Sequence, residues 1–350
     1  MTSATVVTPP VAKPPRGRRG PRQGSVRGLV GLLVVLGIAA LLSLAVGSRP
    51  IGPDTVLRVL TGDDGSEAAT IIRELRVPRT VVAIAAGTCL GLAGTLMQGY
   101  TRNPLADPGL LGLTAGAAFA VVLGIFLLGV TSPAGYAWFA LLGAGLAGAA
   151  VFGIGTTRRG PDPVTLVLAG TAVTALLQAV TNTILVRDTL TLDDYRFWIV
   201  GSVAGRDLSV LAQVAPFMAV GVLLAALCVP GLNLLQLGDD AASSLGLNPT
   251  LHKALGLAAV MLLCGAATAA CGPIVFLGLT VPHVARHLAG VDHRWLVPYS
   301  AVLGAIVLVL ADVLGRVLVV PAELQVGIVM ALVGGPAFIL LVRRARMVRL

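Results

Sequence analysis

The chain has 350 residues, of which 56% are hydrophobic and 12% are charged, and its mean hydropathy is +0.91. Soluble domains are about 25% charged, so this composition excludes a soluble enzyme, a disordered protein and an ordinary nucleic-acid-binding protein. Its four cysteines include no C-x-x-C pair, which excludes a disulfide scaffold. A polytopic membrane protein remains, and 43 glycines with only 4% aromatic residues predict closely packed helices.

The formal net charge of +9 is concentrated at the two ends of the chain. Six basic residues and no acid precede residue 28, and four basic residues and no acid follow residue 342. Because lysine and arginine accumulate on the cytosolic side of membrane proteins, both ends are predicted to be cytosolic. Residues 1–27, rich in proline, arginine and glycine, are predicted to form a disordered basic tail, and residues 343–350 a second basic tail.

Uncharged apolar runs predict the membrane spans in chain order. Residues 28–48 carry no charge and are long enough to cross about 30 Å of hydrocarbon as a helix. The polar stretch 49–70 then predicts a loop on the outside. Nine further spans are expected near 77–99, 109–130, 136–155, 163–186, 209–229, 254–271, 274–289, 295–319 and 324–342. Ten spans return the chain to its starting side, so residues 28–342 are predicted to form one ten-helix transmembrane domain.

The loops between these spans support the same topology. Those assigned to the inside, with Arg102 and Lys253 among them, have a clear excess of basic residues, and those assigned to the outside do not. Asp107 is expected in one of the inside loops. Acidic residues are therefore predicted only near the ends of spans, with Asp312 the most deeply placed.

Glycine and proline interrupt several of the apolar runs, at Gly272–Pro273, Pro282 and Gly335–Pro336. A proline removes a helical hydrogen bond, and in a membrane free backbone groups are tolerated only where protein or water satisfies them. These sites are either ordinary kinks or broken helices that line a pathway. The spacing of Gly87, Gly91 and Gly94 predicts a face where another helix backbone comes close.

Motifs for common membrane chemistry are absent from the sequence. No G-x-x-x-x-G-K-[ST] phosphate-binding loop occurs, so if ATP drives the protein another subunit must hydrolyse it. His283 and His287 could share a helix face, but they have no acidic neighbour, and packing or an interfacial role is expected. The acid pairs at 193–194 and 239–240 fall on opposite predicted sides, cannot share a magnesium cluster, and are expected to be solvated loop acids.

Charged residues beside the spans are the remaining candidates. Asp312 and Arg316 are four residues apart and could pair across a helical turn. Arg76 and Arg79 lie at the outer start of the second span, where they either snorkel to the interface or form an electropositive mouth for an acidic partner. In the longest inner loop, residues 239–247 predict a short amphipathic helix that would suit a groove on a soluble partner.

A series of short motifs runs along the chain. It consists of LRVPRT at 75–80, Gln98, RNPLADP at 102–108, Leu111–Gly112, LGDDAASSLG at 237–246, GPIVFLGL at 272–279, VPH at 281–283, Ala311–Asp312, Glu323–Leu324 and GGPAF at 334–338. In content and order this series resembles the FecCD-type permease family, which serves iron–siderophore, haem and cobalamin import. The resemblance spans roughly residues 70–342 and leaves the tail 1–27 outside it.

The resemblance implies an all-α polytopic fold of about ten transmembrane helices, the cobalamin-permease-like fold of type II ABC importers. It implies a second permease subunit, identical or paralogous, two ATP-binding subunits that hold ATP and Mg on the cytosolic face, and an extracytoplasmic substrate-binding lipoprotein. The chain itself would bind no cofactor and no metal and would have no catalytic residue. Membrane lipid is an expected partner and nucleic acid is not.

The resemblance also implies roles for particular residues. Arg76, Arg79 and Arg316 match outer arginines that meet acidic residues of the binding protein. The segment that seats in the ATPase groove is matched by Leu237, Gly238, Asp239, Asp240, Ala241, Leu245, Gly246 and Leu247. Individual roles do not follow for the remaining motif and helix-break positions, which are Gln98, Arg102, Asn103, Pro104, Pro108, Gly272, Pro273, Pro282, His283, Asp312, Gly335 and Pro336.

The expected protein is a non-enzymatic permease subunit of an ABC importer in the cytoplasmic (plasma) membrane, with a ferric siderophore as its cargo. Haem or cobalamin is the alternative cargo within the family. An ion-coupled secondary carrier would instead need buried acids near the bilayer midplane. A membrane-embedded enzyme would need a cluster of acidic, histidine or cysteine side chains, and none assembles from the predicted spans.

Overall fold

The computed structural model describes residues 24–47, 50–62, 65–157, 160–319 and 321–345, and these are almost entirely helical. The helices are α1 (Val26–Ala45), α2 (Pro53–Thr61), α3 (Glu67–Thr70), α4 (Val77–Thr101), α5 (Leu113–Leu128), α6 (Pro133–Gly155), α7 (Pro163–Arg187), α8 (Thr189–Ile199), α9 (Leu208–Leu235), α10 (Asp239–Ser244), α11 (Pro249–Cys271), α12 (Leu277–Ala289), α13 (His293–Leu318) and α14 (Val326–Ala345). The predicted basic tails lie outside the described residues, except for 24–27 and 343–345.

Three short elements complete the backbone. A π-helical turn, Ile71–Arg76, joins α3 to α4 into one continuous helix. A 3₁₀ turn, Pro108–Leu111, precedes α5. The two-residue strands β1 (Thr156–Thr157) and β2 (Gly160–Pro161) pair antiparallel between α6 and α7.

Ten apolar helical segments of the described chain correspond to the predicted spans. Seven are long and apolar enough to cross a membrane, namely α1, the continuous helix that ends in α4, α6, α7, α9, α11 and α13. Helices α5 and α14 are apolar but shorter, and α12 has only 13 residues. Most boundaries agree with the predicted ones to within a few residues, so the predicted helical membrane fold is confirmed.

Two stretches predicted to be polar breaks contain helices instead. The predicted outer loop 49–70 contains α2 and the beginning of the helix that continues into α4, and the stretch after α7 contains α8. Helix α2 begins with Pro53 and has Asp54 in its first turn, and both residue types favour a helix start. A search for long apolar runs cannot find such a helix, because it has only nine residues and contains Asp54 and Arg58.

Helix α4 lies at the centre of the bundle, where it packs against α13, α11, α12 and α9 and is almost completely buried. Glycines make this close approach possible. A Cβ added at Gly87 would lie 2.4 Å from the carbonyl oxygen of Gly304, and one added at Gly94 would lie 1.8 Å from that of Gly278. Close packing is what holds helices together in a bilayer, since lipid is as apolar as the side chains. The predicted glycine packing face is confirmed.

One of the predicted helix breaks is present. Helix α11 ends at Cys271, and Gly272, with φ of 75°, turns the chain into an extended link. The link ends at Phe276, which has φ of 66°, and α12 begins at the next residue. The break therefore provides five residues of non-helical backbone between two helices that pack on α4.

The broken-helix interpretation is wrong for Pro282 and for Gly335–Pro336, because α12 and α14 continue through these positions. Proline at 282 cannot donate to the carbonyl of Gly278, four residues earlier. That carbonyl is the one packed against Gly94 of α4. Helix α12 therefore continues through Pro282, with this carbonyl close to the glycine backbone of α4.

A methyl group at Gly94 should separate α4 from α12. We expect Gly94→Ala to lower the thermal unfolding temperature of the purified protein by several degrees or to reduce its yield, because overpacking costs about 1–3 kcal/mol. Gly145→Ala on α6 is the matched control, since nothing in the described chain lies within 4 Å of a Cβ added there. Equal melting of the two variants would contradict the proposed importance of this contact.

Candidate functional site

Five charged residues cluster where α4 begins and α13 ends. We call them the arginine cluster; they are Arg76, Arg79, Asp312, Arg316 and Glu323. Arg79 donates to the Asp312 carboxylate from Nε at 3.1 and 3.0 Å and from Nη2 at 2.8 Å, and its Nη1 donates to Glu323 at 2.6 Å. Arg316 donates to the same Asp312 from Nε at 3.0 Å and also from Nη2. The pairing of Asp312 with Arg316 predicted from their spacing is confirmed.

The arginine cluster also completes the C-terminal end of α1. Arg316 donates from Nη1 to the Ser43 carbonyl at 2.7 Å and from Nη2 to the Ser43 hydroxyl at 3.1 Å. Arg76 donates from Nη1 to the carbonyls of Leu44 at 2.6 Å and Ala45 at 2.9 Å. The last carbonyls of a helix have no partner within it, and positive charge is favourable there. The first span is therefore tied to α4 and α13 through arginine side chains.

The predicted docking arginines are largely buried in this structure. Asp312 is 1% exposed and Arg316 is 2% exposed, and Arg76 is also buried. The guanidinium groups of Arg79 and Arg316 are directed toward acids and carbonyls of the chain itself, and Glu323 is the most accessible member of the cluster. The structure thus adds a structural role for these arginines, and their role in docking stays a prediction.

A cavity of about 560 Å³ lies within the bundle, between α5, α7, α8 and α11. Apolar groups line part of it, and polar side chains line the rest, many of them on α7. These polar residues are Asp107, Thr114, Thr174, Gln178, Thr181, Asn182, Tyr195 and Thr268. The sequence patterns did not indicate a cavity here, although Gln178 and Asn182 are spaced by one helical turn within a span. A hydrated solute fits in such a polar cavity better than in the surrounding apolar packing.

Asp107 lies at this cavity rather than in a loop at the membrane surface. After α4 ends, the chain turns back into the bundle, and Pro108 comes within 3.1 Å of a Cβ placed at Gly278, which also lies beside the Leu90 carbonyl in the middle of α4. One Asp107 oxygen accepts a hydrogen bond from the Gly109 N–H at 2.8 Å. The prediction that acids lie only near span ends is therefore wrong here, because the segment before α5 re-enters the bundle.

The opposite end of the bundle carries the short amphipathic helix predicted at 239–247. It is α10, and Gly246, with φ of 86°, follows it before α11. Ala242 packs inward and is completely buried, whereas Leu237 and Leu245 are 64% and 61% exposed. Apolar side chains are thus presented away from the bundle on both sides of α10, which is what docking into a groove requires.

Asp239, the first residue of α10, is 43% exposed, and it also binds two basic side chains, which the sequence does not predict. Its carboxylate accepts from Arg102 Nη2 at 2.5 Å and from Lys253 Nζ at 2.5 Å. Burial alone would raise the pKa of Asp239, but the hydrogen bonds from Lys253 and Arg102 hold this pKa below its ordinary value. The sequence could not reveal the contact with Arg102, because 137 residues separate the two.

Several of the remaining motif residues join α4 to its neighbours. Gln98 donates from Nε2 to the Leu279 carbonyl at 3.2 Å and accepts from Arg286 Nη1 at 2.7 Å, which links α4 to α12. Asn103 accepts from the Leu105 N–H at 2.9 Å in the turn that contains Pro104.

The two histidines of α12 share a helix face, as predicted, with ring centroids of His283 and His287 4.8 Å apart. Across the described ranges, no group of three or more His, Cys, Asp and Glu residues is arranged to hold a metal ion.

Loss of the Asp312 charge should destabilise the fold. Asp312→Asn removes the anion shared by Arg79 and Arg316, and a buried charge left without its partner costs about 3–5 kcal/mol. Asp54→Asn is the matched control, because Asp54 pairs with Arg58 at 3.4 Å on the surface, where such pairs contribute about 1 kcal/mol or less. We expect a much larger drop in Tm for the Asp312 variant in detergent, and similar Tm values would refute the structural role of the cluster.

Comparison with known proteins identifies the family. Residues 33–344 match the model of the FecCD transport family. The ferric enterobactin transport system permease protein FepD of Escherichia coli (strain K12) is 44% identical over 315 residues, which cover 90% of this chain and 94% of that protein. The hemin transport system permease protein HmuU of Yersinia pestis is 38% identical over 330 residues, with 91% and 96% covered.

A solved structure agrees with the sequence comparisons. An inward-facing metal-chelate type ABC transporter is 29% identical and superimposes with a TM-score of 0.80, over 91% of this chain and 100% of that chain. The resemblance that the motifs indicated is therefore confirmed over nearly the whole chain. This protein belongs to the FecCD transport family, and it is a membrane permease and not an enzyme.

Proposed function

We propose that this chain is the membrane permease subunit of an ABC importer that carries a ferric siderophore across the cytoplasmic membrane. The observation that carries the proposal is the family match over nearly the whole chain, with relatives named for ferric enterobactin, siderophore and iron(3+)-hydroxamate transport. Haem is the second candidate cargo, because HmuU is also a relative. The greater identity to FepD, 44% against 38%, favours a siderophore.

The energy for transport comes from two ATP-binding subunits, each of which holds ATP and Mg. The sequence has no phosphate-binding loop of its own, so hydrolysis belongs to a separate chain. The exposed apolar side chains of Leu237 and Leu245 beside α10 support docking of such a subunit at this end of the bundle. The whole segment 237–247, which includes these two leucines, is the proposed docking surface.

A second permease subunit, identical or paralogous, completes the pathway. Helix α7 is mostly exposed, and Thr171, Gln178 and Asn182 are exposed along its length. Polar groups at membrane depth are unfavourable against lipid, so this face is expected to meet water or protein. Two subunits whose α7 helices face each other would enclose these polar groups and join the two cavities around one central pathway.

The binding lipoprotein docks at the end that holds the arginine cluster, and both termini lie on the cytosolic side. The basic tails support this orientation through the positive-inside rule. Gly24 donates to the carbonyl of Ala289 at the end of α12, so the chain enters the bundle at the end opposite to the arginine cluster. Helix α14 starts beside the arginine cluster, just after Glu323, and runs back toward the end where Gly24 contacts Ala289.

Transport follows an alternating-access cycle. The lipoprotein releases the chelate into the cavity from the outside, closure of the ATP-binding subunits moves α10, and the cavity then faces the cytosol. Because the iron travels inside its chelate, the pathway needs polar contacts rather than metal ligands of its own.

Vesicle uptake tests the proposal. Proteoliposomes that contain the chain with its ATP-binding subunits should accumulate a ferric siderophore when the binding protein is outside and ATP is inside, and should do so poorly with haem or cobalamin. The chain alone should neither hydrolyse ATP nor accumulate the chelate. Uptake by the chain alone without ATP would contradict the proposal and favour an ion-coupled carrier, and preferential uptake of haem would reassign the cargo.

The outer docking role of the arginines predicts a loss of affinity for the binding protein. We expect Arg79→Gln to weaken binding of the lipoprotein to the complex at least tenfold, and wild-type binding to weaken as salt rises. Arg58→Gln changes an exposed arginine of α2 and is the matched control. Thermal unfolding is measured on each variant, so that loss of folded protein is recognised. Unchanged affinity in folded Arg79→Gln would remove Arg79 from the docking site.

A further inference from the structure

Asp239 forms a direct contact between the ATPase-docking helix and the rest of the bundle. Its Oδ1 accepts from Arg102, which follows the last residue of α4, and its Oδ2 accepts from Lys253 in the first turns of α11. Each carboxylate oxygen therefore binds a different cation from a different helix. Charge-assisted hydrogen bonds of this kind are shorter and stronger than neutral ones.

A glycine of positive φ lies on each side of α10. Gly238 precedes it with φ of 106°, and Gly246 follows it with φ of 86°, and both conformations are readily adopted only by glycine. Helix α10 has six residues, which is too short to be stable by itself. Its position therefore depends on side chains that attach it to longer helices, namely the buried methyl of Ala242 and the carboxylate of Asp239.

Arg102 connects this contact to the cavity. It ends α4 in the left-handed conformation, with φ of 49°, which is unfavourable for a residue with a side chain and has to be held by its surroundings. The turn at Asn103 follows, closed by hydrogen bonds from the N–H groups of Leu105 and Ala106. Asp107, five residues after Arg102, already lines the cavity.

We propose that Asp239 is a positioning residue that transmits the movement of α10 to the cavity wall through Arg102 and to α11 through Lys253. The proposal rests on the proposed function as an ABC importer permease. A displacement of α10 would pull on Arg102, and the short turn after it would shift the segment that holds Asp107 against α12. The same displacement would act on α11 through Lys253, and α11 also lines the cavity.

The position of Asp239 distinguishes this contact from an ordinary surface ion pair. Exposed pairs contribute little to stability, and the side chains of Arg102 and Asp239 are half exposed. The pair with Arg102 is therefore a weak source of fold stability, whereas Lys253 is only 14% exposed. Together the two pairs directly connect a docking helix to the cavity wall. Loss of this connection should change the coupling between ATP hydrolysis and transport more than it changes the folding of the chain.

The test is the ratio of chelate transported to ATP hydrolysed, measured in proteoliposomes that hold the complete complex and its binding protein. We expect Asp239→Asn and Arg102→Gln each to lower this ratio at least tenfold. Arg102→Gln leaves the docking segment 237–247 unchanged, so it should keep ATP hydrolysis and Tm close to wild type. Asp239→Glu keeps the charge, so it should retain much of the wild-type ratio of chelate transported to ATP hydrolysed. Arg294→Gln, at an exposed arginine of the same end, is the matched control and should behave as wild type.

The double variant D239N/R102Q decides whether the two residues act together. If they form one connection, the double variant is no worse than the single variants, whereas independent effects would multiply. Multiplying effects, or a wild-type ratio in both single variants, would overturn the proposal. If Asp239→Asn does not assemble, Arg102→Gln decides alone, since it leaves the docking segment unchanged. If the wild-type complex shows no ATP-driven uptake, the proposed function as an importer permease is contradicted. Failure of the proposed function is thus distinguished from failure of the proposed role of Asp239.

Discussion

Backbone contact along α4 is the constraint on which the rest of the bundle depends. Apolar side chains gain little by leaving lipid for protein, so the helices are held by close packing and by the polar groups that they share. Glycines at 87 and 94 bring α13 and α12 against α4 at distances that a side chain would prevent. The arginine cluster lies at the start of α4, Leu90 in its middle lines the cavity, and Arg102 follows its last residue.

The two ends of α4 use charge in different ways. At its start, Asp312 is shared by two arginines in nearly complete burial, and the guanidinium groups also complete the end of α1. An arrangement with so many mutual partners fixes the relative position of three helices. At its far end, the Asp239 contact is half exposed and lies beside two glycines of positive φ. The charged groups are thus buried where the first span is anchored and accessible to water where ATPase docking is proposed.

Local sequence patterns predicted the spans well because the bilayer imposes a length and a composition on each of them. The same is true of the glycine face on α4 and of the Asp312–Arg316 pair, which depend only on helical spacing. The contacts of Arg79 with Glu323 and of Arg102 with Asp239 could not be predicted, since they join residues 244 and 137 positions apart. Asp107 was misplaced because hydropathy reports where a run is apolar and not where the chain turns back. At Pro282 the sequence left a kink and a broken helix as alternatives, and the structure shows that α12 continues.

Access to the cavity tests the account most directly. All four native cysteines are buried, so a cysteine introduced for Asn182, which is exposed on α7 and lines the cavity, can be labelled selectively. In the assembled complex, the account predicts reaction with a membrane-impermeant thiol reagent from one side without nucleotide and from the other side with ATP bound. Reaction from the same side in both states, or from neither, would contradict a permease whose cavity changes sides when its ATP-binding partners close.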